Sequence, residues 1–73
     1  MNPESRPTVR VDLQNTDSAG RVRLNTIGSL EDIRDQAIVL VEGLELHLVD
    51  DELFAVGVAL FSDEERVWVV ELT

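Results

Sequence analysis

Two neighbouring stretches of this chain are apolar on both of their faces, and that pattern restricts the fold more than any other feature. Leu53–Phe61 divides by alternation into Leu53, Ala55, Gly57, Ala59 and Phe61 on one side and Phe54, Val56, Val58 and Leu60 on the other. Arg66–Leu72 divides into Trp68, Val70 and Leu72 against Val67 and Val69. A strand buried on one side alternates apolar with polar residues, whereas strands covered on both sides read as near-continuous apolar runs. Something must therefore cover the second face of this pair.

With 73 residues and no cysteine, the chain makes one small domain without a disulfide or thiolate zinc site to reinforce it. Small side chains at Ala55, Gly57 and Ala59 would let a neighbour approach closely. Together with Val67 and Val69 they form the expected contact surface, and homodimerisation is the expected use of it.

Upstream, two shorter alternations read as strands. Val9, Val11 and Leu13 alternate with Arg10, Asp12 and Gln14, and Val22 and Leu24 alternate with Arg21, Arg23 and Asn25. Turn-forming residues from Asn15 to Gly20 lie between them, so the two are expected to pair as a hairpin. Residues 1–7 hold both prolines and no apolar pattern, and are expected to be a loose tail ahead of a single domain at 8–73.

The one helix signal is Ser29 as N-cap, Glu31 and Asp32 in the first turn, and Leu30, Ile33 and Ala37 at i, i+3 and i+7. This predicts a helix of about two turns over Leu30–Gln36, docked across one open end of a sheet. Beyond it, Ala37–Val41 is an uninterrupted apolar run. Gly43 then falls where a bulge or tight bend would turn the chain. Leu44, Leu46 and Leu48 alternate with Glu45, His47 and Val49, and the runs Asp50-Asp51-Glu52 and Ser62–Glu65 supply turns. The fold class expected is mainly β: a small, strongly bent antiparallel sheet or partial barrel, SH3-like, with one short helix. An OB-like barrel is the alternative.

The segment Glu42–Leu53, with Gly57-Val58, Glu65–Val69, Arg21–Thr26 and the Ser29–Asp32 cap, resembles short uncharacterised bacterial proteins. The resemblance covers about Arg21 to Leu72. It implies a small β-rich domain and assigns no activity or functional residue.

Charge narrows the function. Residues 1–36 carry five arginines and six acids, and residues 37–73 one arginine and nine acids, so nearly all of the net charge of −9 lies in the second half. Nucleic-acid affinity comes largely from neutralising phosphates, which an acidic chain opposes. A basic protein partner, met through Asp50, Asp51 and Glu52, is the more natural expectation. The nucleic-acid alternative would use Arg10, Arg21 and Arg23, read as one face of the N-terminal hairpin.

Enzyme chemistry has little to stand on. His47, the only imidazole, could be oriented by Glu45, but no nucleophile is placed beside it. The carboxylates of Asp50-Asp51-Glu52 lack the alternate spacing and the glycine of a calcium loop, so neither a metal nor any other cofactor is expected. Trp68 is expected in the core, because a chain with no tyrosine cannot line a polyproline groove with several aromatics. The longest apolar run is five residues, too short to span a membrane, and a cytoplasmic location is expected. The sequence therefore favours a non-enzymatic interaction module.

Overall fold

A computed structural model describes residues 6–73. Five strands form one curled, half-barrel sheet: β1 (Thr8–Arg10), β2 (Val22–Arg23), β3 (Glu45–Val49), β4 (Phe54–Ser62) and β5 (Val67–Leu72), in the spatial order β1-β3-β4-β5-β2. Among the described residues there is one helix, α1, spanning Ile27–Asp35. The mainly β, strongly bent architecture expected of the chain is present. One pairing departs from it: β1 runs parallel to β3, while the other three ladders are antiparallel.

The expected N-terminal hairpin does not form. Its two arms lie at opposite edges of the sheet, β1 against β3 and β2 against β5. The second arm meets only the segment between them, through the Thr16–Val22 bridge and the bonds from the Arg23 amide to the Asn15 carbonyl and from the Asp17 amide to the Arg21 carbonyl. Alternation marks a segment as strand-like but carries no label for its partner. Each arm gains a longer neighbour in the C-terminal half than the other arm would offer. Of the expected tail, residues 1–5 lie outside the described residues. Arg6 and Pro7 are tied to β3, through the Arg6–Glu45 ion pair and a hydrogen bond from the His47 amide to the Pro7 carbonyl.

Helix α1 starts earlier than its sequence signal. Thr26, not Ser29, is the N-cap, its hydroxyl accepting the Ser29 amide, so Glu31 and Asp32 fall beyond the first turn. Ser29 is buried, and its hydroxyl donates to the Arg10 carbonyl. At the other end Ala37 takes a left-handed φ of 53°. Its amide bonds the Arg34 carbonyl and the Ile38 amide bonds that of Ile33, the two bonds of a Schellman stop.

The helix lies along the free edge of β1. Backbone groups of an edge strand that point away from the sheet need partners, and here helix side chains supply them. The Arg10 amide donates to Asp32, the Arg10 carbonyl accepts from Ser29, and the Thr8 carbonyl accepts from Gln36. At the opposite edge the Arg23 amide donates to the Asn15 carbonyl. Both edges are thus shielded.

The core fills the inner face, built from Val9, Val11, Val22, Leu24, Leu46, Leu48, Ala59 and Val70. Chain segments crossing between the edges close over it, with Leu13, Ile33, Ile38, Leu40 and Leu44 packed against it. Gly43 forms the expected bulge: its amide donates to the Ala59 carbonyl, while the Ala59 amide donates to Leu44, so two residues oppose one. Its φ of 92° is the left-handed value such a bulge requires. Ala37–Val41, the apolar run before it, belongs to no strand.

Candidate functional site

The two faces of β4 divide the small residues from the bulky ones, and the division is the reverse of the one expected. Ala55, Gly57 and Ala59 face inward, paired in register with Leu48, Leu46 and Val70. Gly57 is required there by close approach: a Cβ on it would stand 2.5 Å from both the Glu71 carbonyl oxygen and a Val70 methyl. Small side chains on β4 leave room for the leucines of β3 and for the segments that cross the inner face. The bulky set Phe54, Val56, Val58 and Leu60 consequently lies on the outer face.

That outer face is ordered in rows across the sheet. Arg10, Val49 and Phe54 form one row, then Thr8, His47 and Val56, then Glu45, Val58 and Glu71, then Leu60, Val69 and Arg23, and finally Ser62 and Val67. An apolar stripe therefore runs the length of β4, with charged residues on its flanks. Helix α1 packs along β1 and does not cross this stripe. Phe54 is 61% exposed, and Val56, Val58, Leu60 and Val67 are only half-buried.

The residues expected to meet a partner are therefore separated. Val67 and Val69 are on the outer face, and Ala55, Gly57 and Ala59 on the inner one. Val69 is fully buried although it faces outward, flanked by Leu60 and Arg23, and Gly57 and Ala59 are buried as well. Side chains enclosed within one chain offer no surface to a second. What sequence reading did not single out is the set Phe54, Val56, Val58 and Leu60. The alternation displayed it, but a period of two does not say which set turns inward.

The charged rim is largely compensated. Arg6 bonds Glu45, Arg10 bonds Asp32 and Glu31, Arg21 bonds Asp17, and Arg23 makes a two-pronged contact with Glu65 at 2.7 and 2.8 Å. Glu65 is held below the usual carboxylate range by those bonds from Arg23, against the opposing effect of burial. Asp17 is lowered first by the Arg21 amide, which it accepts with the Ala19 amide and the Arg21 guanidinium. Among the described residues Glu71 is the one acid of this face without an ion pair.

Arg10, Arg21 and Arg23 do not form one cluster, although Arg10 and Arg23 both lie on the outer face. Arg10 belongs to β1 at one edge, whereas Arg21 and Arg23 lie at or beside β2 at the other, and each already holds a carboxylate. His47 packs edge-on against Phe54, with ring centroids 5.2 Å apart, while Glu45 is turned to Arg6, so the expected His47–Glu45 pair is not made. Trp68 lies inward against the core, edge-on to Phe61 at 5.4 Å.

In the β3–β4 turn, Asp50 serves the fold. Its carboxylate accepts the Leu13 and Asp51 amides, which lower its pKa in that order. Asp51 and Glu52 are exposed. Among the described residues no group of three or more His, Cys, Asp or Glu side chains is arranged to hold a metal ion. No helix among them is long and apolar enough to cross a membrane. Comparison with protein-family models, with curated proteins and with solved structures gives no match, so similarity assigns neither a family nor an activity.

Proposed function

We propose that this chain is a non-enzymatic protein-interaction module that self-associates in the cytoplasm by packing the outer face of β4 and β5 against a second copy. The observation that carries this reading is the uncovered apolar stripe Phe54, Val56, Val58 and Leu60 on an otherwise shielded sheet. Its flanking charges are mostly paired within the chain, and the excess acids Asp51, Glu52, Asp63 and Glu64 sit in turns at the two ends of β4. Two like-charged copies can then meet without setting acidic rows against each other. A domain of this size also gains from association, because its own core is small.

The magnitude favours a modest affinity. Eight half-covered side chains from two copies contribute roughly 1 kcal/mol each on burial. The sum is comparable with the ~4–15 kcal/mol lost in translational and rotational freedom. The net gain is then about 4 kcal/mol at the most, so association is expected at about millimolar concentrations and above.

Light scattering across a concentration series tests this. The mass is expected to rise towards twice that of one chain, and Val58→Lys is expected to hold it at one chain while leaving the circular-dichroism spectrum unchanged. A single-chain mass at every concentration, or an undisturbed dimer in the Val58→Lys variant, overturns the reading.

A further inference from the structure

Between α1 and β3 the chain has the side-chain pattern of a strand but no strand beside it. Ile38 and Leu40 pack against the core, while Val39 and Val41 point outward and are 77% and 53% exposed. Among the described residues, the amides of Val39, Leu40, Val41 and Glu42 donate to no acceptor, and of the carbonyls from Ile38 to Glu42 only that of Val41 accepts a backbone bond, from Leu44. Among the described residues the two edge strands have partners on their outer sides: α1 on β1, and Asn15–Asp17 on β2. A row of unpaired backbone groups with apolar side chains outward is what a strand-accepting edge presents.

We infer that Ile38–Glu42 is a docking edge for an extended, basic segment of another protein, which would add to it as a strand. The charge around the edge specifies the sign. The Glu42 carboxylate accepts the Phe61 amide at 3.2 Å, which brings it beside the β4–β5 turn with its exposed Asp63 and Glu64. Arg66 is the one cation of that turn. Main-chain bonds would supply affinity, apolar residues of the partner would cover Val39 and Val41, and its Lys or Arg side chains would meet the acids. This edge is separate from the outer sheet face, so the two proposals stand or fall independently.

The test is amide hydrogen exchange of the full chain, alone and with a capped octapeptide alternating lysine and valine. A second octapeptide alternating glutamate and valine serves as control. Fast exchange at Val39–Glu42 in the free chain is expected, slowed at least tenfold there by the basic peptide and not by the acidic one. Val39→Pro is expected to abolish the slowing. Glu42→Gln keeps an acceptor for Phe61 and is expected to weaken peptide binding several-fold, as added salt should. Slow exchange at these amides in the free chain, protection confined to other residues, or equal binding of the acidic peptide overturns the inference. Protection there that grows with protein concentration alone would make a second copy the occupant, and likewise overturns it.

Discussion

Asp32, on helix α1, holds Arg10, in edge strand β1, at three nitrogen atoms: the backbone amide at 2.8 Å, Nε at 3.0 Å and Nη2 at 2.9 Å. One carboxylate thereby satisfies the Arg10 amide that a neighbour strand would otherwise take and anchors helix α1 to the sheet. Its pKa is held down first by the Arg10 guanidinium, with burial opposing and the Arg10 amide assisting. Asp17, Asp50 and Glu65 are lowered in the same direction. A carboxylate that is more acidic folded than unfolded adds stability above its unfolded pKa and loses it as pH falls through the folded one. The urea midpoint is therefore expected to be flat above about pH 5 and to fall steadily below about pH 4. Asp32→Asn is expected to lower the midpoint at pH 7 and flatten that acid slope. An unchanged slope in the variant would show that Asp32 carries none of it.

Gly57→Ala tests which face of β4 is inward. The added methyl meets the Glu71 carbonyl and Val70 across the ladder, and overpacking of this kind costs about 1–3 kcal/mol. Urea unfolding of the variant is expected to show a loss in that range. A neutral outcome would mean that β4 and β5 stand further apart than they do here.

Val69 and Val58 both face outward but have opposite surroundings, one enclosed and one half-covered. Val69→Ala is expected to lower unfolding stability by about 1–3 kcal/mol at every protein concentration. Val58→Ala is expected to cost less than about 1 kcal/mol in dilute solution, its effect growing with concentration as association is lost. Measuring both at two protein concentrations separates the roles, and identical concentration dependence would refute the distinction.

Ala37 and Gly43 both hold left-handed φ values, 53° and 92°, and only one of them is glycine. Substitution at each is expected to act in opposite directions. Ala37→Gly relieves the strain of an L residue at the helix stop and should stabilise by about 0.5–1 kcal/mol. Gly43→Ala imposes that strain at the bulge and should destabilise by about 1–2 kcal/mol. No crowded neighbour complicates the change at Gly43: nothing lies within 4 Å of where its Cβ would be. Thermal unfolding of the two variants reads the signs directly.

What the chain reveals without coordinates is local. Period-two alternation located β3, β4 and β5 within a residue or two, the Asp50-Asp51-Glu52 turn follows from its composition, and Gly43 announced its bulge by being a glycine inside a strand pattern. Each depends on residues close in sequence, so each is legible there. Tertiary structure alone decided which segments pair, which face of β4 is inner, and which hydroxyl caps the helix. Val9 and Val22 have equivalent patterns yet lie at opposite edges, because the choice of partner strand depends on residues some 40 to 50 positions away. Ser29 lost the capping role to Thr26 because the β1 edge had a carbonyl that needed its hydroxyl. For the same reason, Ala37–Val41 could be read as strand-forming but not as unaccompanied: whether a neighbour exists is a property of the assembled sheet, and no stretch of sequence contains it.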